Sequence, residues 1–338
     1  MGPQWAAGPT LTEVAHAIRS HPGVRNKAPI ALVSEVLGAS DWYHGPGDDG
    51  AVVTDGDVTM VVGGEALWPP FAAADPYGAG LAAVLTNVND LAAMGARPLA
   101  IVDTIVGGSE LARSALSGMR DGGALYQVPI VGGHLSLVEG ASSISAFGLG
   151  RADHGQVLSV RHAAAGQSLM VACVTEGTMR EDFPFFRSFE QRGGRLAGDV
   201  RVLAQVAADG SCVAAKDVSM AGMIGSLVML LEYSRLGVTV DLDALPRPAG
   251  VALVAWLTSF PCFAFLLCCP PGREVDCARP FLDRGIQAEV VGTLDTSGLV
   301  QLRQGDEIVP VFDLHAGSVT GLGRAGGADD HSGAGNSG

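Results

Sequence analysis

Between Asp75 and Pro98 the apolar residues Leu81, Val84, Leu85, Val88, Leu91 and Ala92 recur at helical spacing and fall on one stripe. The opposite side is mostly Ala, Gly and Met, so the helix predicted here is enclosed almost all round. Asp75 is placed to accept from the free amides of the first turn, Pro76 suits the first helical position, and Gly95 with Pro98 supplies the stop. Steps of about 100° per residue put Asn87 and Asp90 on one face, away from the apolar stripe, with Asn89 directed elsewhere to cap or brace a neighbour. An enclosed carboxylate has to be paired, hydrogen-bonded or bound to a cation. Asp90 therefore either braces the amides of a neighbouring loop or belongs to a binding site.

Shorter patterns surround this helix. Residues 11–18 and 30–37 are predicted as short amphipathic helices, separated by a cation-rich spacer at 20–27. Strands at 51–54 and 58–62 around Asp55-Gly56-Asp57 make a hairpin that runs on into Gly63-Gly64-Glu65. Next come a strand at 99–106, a capped helix at 109–125, a buried strand at 128–131 ending in Gly132-Gly133-His134, and a strand at 142–150. The polar stretch 151–165 breaks the pattern and divides the chain into domains at 1–155 and 156–322. In the second, strands are predicted at 168–175, 212–215, 237–242, 263–269, 286–294 and 299–303, with helices at 199–207, 220–233 and 275–284. The tail 323–338 is Gly, Ala, Ser and Asp and is expected to be disordered. The run 251–269 is apolar over about the length of a membrane span, but Pro261 and Pro270-Pro271 divide it into a ten-residue helix and a buried strand. No basic flank orients an anchor, so no membrane partner is expected.

Composition narrows the chemistry. A chain of 338 residues with 48% hydrophobic content can bury two cores of the α/β type. A net charge of −14 with no cluster of Lys and Arg argues against a nucleic-acid partner and leaves a small molecule or a metal ion. The six cysteines lie in the second half without a C-x-x-C pair, and no signal-peptide pattern opens the sequence; buried thiols and a cytoplasmic location follow as expectations. Only Lys27 and Lys216 are lysines among the 21 basic residues. Each is either a survivor of an arginine-biased composition or an ammonium kept to meet phosphate as a point charge. The turn Gly47-Asp48-Asp49-Gly50 carries adjacent carboxylates that serve as turn formers or as hard oxygen ligands for Mg²⁺.

Gly47-Asp48-Asp49-Gly50-Ala51-Val52, Asn87-Val88-Asn89-Asp90-Leu91-Ala92-Ala93-Met94-Gly95-Ala96-Arg97-Pro98, Val131-Gly132-Gly133-His134 and Asp217-Val218-Ser219-Met220-Ala221-Gly222 occur in the order and spacing of a known superfamily. Over roughly residues 25–315 the chain resembles the aminoimidazole ribonucleotide (AIR) synthetase-like proteins, which include thiamine-monophosphate kinase, selenophosphate synthetase and the carbamoyl dehydratase of hydrogenase maturation. It looks most like the branch called AIR synthase-related proteins. The resemblance implies an α+β protomer of two domains. Its N-terminal domains pair into a homodimer with a β-barrel-like core, and its C-terminal domain is an α/β sandwich. It also implies ATP and Mg²⁺ near the dimer interface, with Asp48 and Asp90 at positions that hold metal and phosphates and Asp217 as the second domain's contribution. Beside these, the candidates are Lys27, Asn87, Gly132 and Gly133 toward the nucleotide, Asp49 and Glu65 toward the metal, and His134 and Lys216 toward catalysis.

Departures accompany the match. Relatives usually carry Thr-Asp where this chain has Gly64-Glu65, Gly-Gly-Asp where it has Gly133-His134, and Ser-Asp-Gly-Gly where it has Ser219-Met220-Ala221-Gly222. Glu65 can replace one lost acid through its longer reach, and His134 can serve as acid, base or phosphate contact or as a hydrogen-bonded core histidine. The activity implied is ATP-dependent phosphorylation of an amide or carbonyl oxygen of a small molecule, followed by ring closure or dehydration. The alternative is a noncatalytic nucleotide-binding or regulatory homologue whose site has decayed.

Overall fold

Near the start of the chain the Thr10 hydroxyl accepts from the Glu13 amide, and the Glu13 carboxylate accepts from the Thr10 amide at 2.8 Å. This reciprocal cap starts α1 (Leu11–Ser20) in the computed structural model, which describes residues 8–37 and 47–322. The spacer expected after it is itself partly helical, holding α2 (Pro22–Arg25) before α3 (Ala31–Leu37). The predicted hairpin is present as β1 (Ala51–Asp55) and β2 (Val58–Ala66). Then follow α4 (Pro69–Ala74), the central helix α5 (Pro76–Ala93), β3 (Arg97–Gly107), α6 (Ser109–Tyr126), β4 (Ile130–Leu137) and β5 (Ser142–Ala152). The tail 323–338 lies outside the described residues.

The five strands make one sheet in the order β1-β2-β5-β3-β4, with only β3 and β4 parallel. Strand periodicity decides its faces: Ile144, Ala146, Gly148 and Gly150 of β5 are buried beneath α5, while Phe147 between them is exposed. Asp75 caps α5 by accepting from the Gly78 amide at 2.8 Å, and Gly95, with φ 71°, ends it. At Gly80 and Gly118 a Cβ would come within about 2.0 Å of the carbonyl oxygens of Ala115 and Tyr77, so α5 and α6 approach at backbone contact. Among the described residues this sheet is open, and no closed barrel forms within one chain. The strand expected to be buried at 128–131 is instead the edge strand β4, which starts at Ile130 and is exposed over most of its length. It pairs on one side only, and Gly132, His134 and Ser136 on its outward face meet no covering layer.

The second half holds β6 (Ser168–Cys173), β7 (Thr178–Met179), β8 (Phe185–Arg187), α7 (Phe189–Arg192), α8 (Leu196–Asp199), α9 (Val202–Ala208), β9 (Ala214–Asp217) and α10 (Gly222–Glu232). It continues with β10 (Gly237–Asp241), α11 (Leu253–Leu257), β11 (Phe260–Pro261), β12 (Ala264–Cys269), α12 (Glu274–Leu282), β13 (Gln287–Asp295), β14 (Leu299–Gln304) and β15 (Glu307–Asp313). Seven strands form a mixed sheet, β15-β14-β10-β13-β6-β12-β9, and β7, β8 and β11 form a small one that the sequence pattern did not announce. Along β12, Ala264, Leu266 and Cys268 enter a core with α1, α10 and α11, whereas Phe265, Leu267 and Cys269 enter a core continuous with α5 and α6. The apolar run 251–269 is thus divided between the five-residue α11 and buried strands, and no described helix is long and apolar enough to cross a membrane. The helix expected at 199–207 is present as α9, starting at Val202, and just before it Asp199, fully buried, is held between Arg192 and Arg284 at 2.7 Å each. All six cysteines are buried free thiols.

Three contacts fix the two sheets relative to each other beside the site. Asp48 accepts from the Val160 amide at 2.7 Å and the Ser159 hydroxyl at 2.8 Å. Asn89 of α5 donates to the Cys262 carbonyl at 3.2 Å, the bracing role anticipated for it, and the Leu158 amide donates to the Met94 carbonyl at 3.1 Å. Asp48→Ala leaves a hydroxyl and an amide without their acceptor, and a loss of about 1–3 kcal/mol is expected, read from the midpoint of urea unfolding.

Candidate active site

Three segments far apart in sequence bring one acid each to the same place. Asp49 comes from the turn before β1, Asp90 from the last turns of α5, and Asp217 from the end of β9; their nearest oxygens lie within 4.8 Å of one another. No ordinary side-chain packing favours three carboxylates so close, because each repels the other two in a medium that screens poorly. Burial, then Asp217 and Asp49, pushes the Asp90 carboxyl well above its usual range, and burial followed by Asp49 pushes Asp217 up to about 7. Lys216 provides the compensating cation: its ammonium pairs with Asp49, whose other oxygen accepts the Asp217 amide at 3.1 Å. Burial alone would lower the Lys216 ammonium, but Asp49 and Asp217 outweigh it and hold it above its ordinary value. Lys216 is buried, so it is not a solvated strand-end cation.

Beside the acids opens a cavity of about 1140 Å³ between the two halves of the chain, with Asp90 and Asp217 in its wall. Lys27 and Glu65 face it as well, and the two interact: burial and Asp49 raise the Glu65 carboxyl while Lys27 opposes them. The remaining wall is strongly aromatic, with Trp68, Phe71, Phe183, Phe185 and Phe260 among its residues, and Met220 lies on it as well. Of four phenylalanines between 183 and 189, Phe183, Phe185 and Phe189 line this wall, while Phe186 of the small sheet is buried behind it against Trp256. Their density was the available signal for a ligand-facing segment, but short strands in such a run have no periodicity to mark them.

The sequence-selected residues divide accordingly. Asp49, Glu65, Asp90, Lys216, Asp217 and Lys27 come together at or beside the cavity. Asp48 and Glu65, expected among the metal ligands, stand outside the three-carboxylate group. Asp48 has both oxygens engaged by Ser159 and Val160, and burial raises its carboxyl to about 7. Asn87 is buried under the sheet, donating to the Ala83 and Ala146 carbonyls. His134 is not brought to the acids. It pairs in register with Thr104 on the sheet face turned away from α5, exposed, with Ser136 Oγ at 3.2 Å. Gly132 and Gly133 share its edge strand; a Cβ on Gly133 would strike Asp103, and Gly132 faces open space.

Comparison with known proteins agrees with this architecture. The N-terminal domain model of AIR synthase related proteins matches residues 47–152, and the C-terminal domain model matches residues 155–303. An uncharacterized protein of Synechocystis sp. is 32% identical over 320 residues, which cover 92% of this chain and 98% of that one. In fold the chain is similar to Thermotoga maritima PurL solved with ADP, at a TM-score of 0.73 and 19% identity over 90% of this chain. It spans 52% of that PurL chain. A ThiL solved with AMPPCP and TMP is similar at a TM-score of 0.64 and 18% identity, over 84% of this chain and 96% of its own. With both domain models matched in order along one chain, and a full-length relative above 30% identity, the protein belongs to the AIR synthase related family.

Proposed function

We propose that this chain is a Mg²⁺- and ATP-dependent enzyme that phosphorylates an amide or carbonyl oxygen of a small molecule held in the cavity. The observation that carries the proposal is the convergence of Asp49, Asp90 and Asp217, with Lys216 paired to Asp49, beside a cavity large enough for a substrate. Nucleotides bound to PurL and ThiL support the same direction.

Mutually repelling carboxylates are a donor set that suits a hard divalent cation, so Asp49, Asp90 and Asp217 would hold Mg²⁺. When bound, the ion neutralises charge on the transferring phosphoryl group. Lys216 fixes Asp49 in position and is spent in that pair, which makes it a positioning residue. Lys27, half-buried on the cavity wall, offers a point charge for a phosphate. Glu65, whose carboxyl is raised chiefly by burial, stands on the cavity wall as the acid or base that would exchange a proton with the substrate. Phosphorylation breaks the bond between the γ-phosphorus and its bridging oxygen, releases ADP and makes a new phosphorus–oxygen bond on the substrate. The carbon–oxygen bond then breaks with departure of phosphate, as an internal nitrogen closes a ring or as a proton leaves.

The homodimer expected from the family resemblance is part of the proposal. Val62, Val102 and Phe147 are exposed on the outer face of the first sheet, which also has free edges at β1 and β4. Light scattering is expected to give a dimer, and Phe147→Glu is expected to shift it to monomer.

Two measurements test the site. Asp90→Asn is expected to weaken Mg·ATP binding at least about tenfold, or roughly 1.4 kcal/mol, by titration calorimetry; equal affinity in parent and variant removes the metal reading. The second is thermal melting against pH. Because Asp90 and Asp217 hold protons more tightly folded than unfolded, the folded chain binds the extra proton between the ordinary carboxylate range and about 7. Stability then falls as pH rises through that window. Without divalent cation the melting temperature is expected to be higher at pH 5.5 than at pH 8. Millimolar Mg²⁺ should restore it at pH 8 far more than at pH 5.5, and Asp217→Asn should flatten both dependences.

A further inference from the structure

We infer that the cavity receives a small molecule with a flat aromatic body and a single carboxylate, and that Arg187 binds this carboxylate. The inference rests on the cavity being the substrate side of the proposed active site. Arg187 ends β8 and lines the cavity, and its Nε is buried without a hydrogen-bond partner. Buried guanidinium donors are rarely left unpaired, since the lost hydration is not replaced. The other guanidinium in the wall, Arg180, is already engaged by Asp182 at 2.7 Å and Asp75 at 3.3 Å. Arg187 thus lines the cavity with no hydrogen bond or ion pair to its guanidinium among the described residues, and the anion that matches such a planar fork edge to edge is a carboxylate.

The size of the charge follows from the wall. Glu65, Asp75, Asp90, Asp121, Glu190 and Asp217 line the cavity against three cations, Lys27, Arg180 and Arg187. With Arg180 engaged by Asp75 and Asp182 and Lys27 set beside Glu65, a single carboxylate is matched by Arg187 alone, whereas a dianion such as a phosphate monoester at Arg187 stays half uncompensated. The body follows from the aromatics. Phe71 of the first domain and Phe183 of the second stand parallel, 5.6 Å apart at an interplanar angle of 3°. Phe185 packs on Phe260 at 5.2 Å, and Trp68 is 64% exposed at the same wall. An exposed tryptophan beside ordered phenylalanine rings offers flat apolar surface that gains most by covering another flat apolar surface.

Titration calorimetry on the full chain, with neither Mg²⁺ nor ATP present, tests this directly. The probes are benzoate, cinnamate and indole-3-acetate, set against their neutral amides, acetate and phenyl phosphate. At least one aromatic acid is expected to bind about tenfold more tightly than its amide, acetate and phenyl phosphate. Arg187→Gln should abolish the preference for acid over amide, and Trp68→Ala should weaken both ligands together. If Arg187→Gln melts early, Arg187→Lys serves in its place, keeping the charge without the fork, with a several-fold loss expected. Equal binding of acid and amide, unchanged binding by the Arg187 variants, tighter binding of phenyl phosphate, or no binding by any aromatic acid overturns the inference. Since no nucleotide is present, any of these results leaves the phosphoryl-transfer proposal standing, and failure of Mg·ATP to bind leaves this one standing.

Discussion

The structure is arranged around an electrostatic conflict. Asp49, Asp90 and Asp217 are held within reach of one another by a turn, a helix and a strand, with one ammonium to answer them. Nothing in the folding of either domain calls for that conflict, and the raised carboxyls of Asp90 and Asp217 measure its cost. A fold tolerates such a cost where the rest of its core is overdetermined, and here the core that buries α5 runs without interruption into the second sheet.

The aromatic cavity and the acids divide the labour of the site. The acids, Lys216 and Lys27 gather charge at one part of the seam between the domains, while phenylalanines and Trp68 supply apolar surface at the rest. Asp49, Asp90, Lys216 and Asp217 come from residues matched by the two family models, while Lys27 precedes them, and the aromatic part draws on 68–71, 183–189 and 260. Charged and aromatic parts are therefore carried by separate stretches of chain.

How much of this was legible depended on the length of each pattern. The helix from Pro76 to Ala93 announced its cap, its burial and its stop because eighteen residues repeat one period. Asp90 was legible as costly, but its partners were not, since Asp217 lies in another domain and nothing local links the two. Asp48 and Asp49 were indistinguishable as neighbours in one turn; backbone direction there sends one to Ser159 and Val160 and the other to Lys216. His134 misled because a Gly-Gly-His end of strand is compatible with either face of a sheet, and the pairing of His134 with Thr104 decides which. The buried pairing of Asp199 was hidden because its arginine partners lie seven and 85 residues away.

The glycine contacts between α5 and α6 have a consequence for how the site works. With Gly80 against Ala115 and Gly118 against Tyr77, neither helix can slide or roll along the other without backbone collision. The helix that carries Asp90 is therefore held by backbone contact as well as by side-chain packing. The conformational entropy lost in gathering the acids is thus lost when the chain folds, before any binding event.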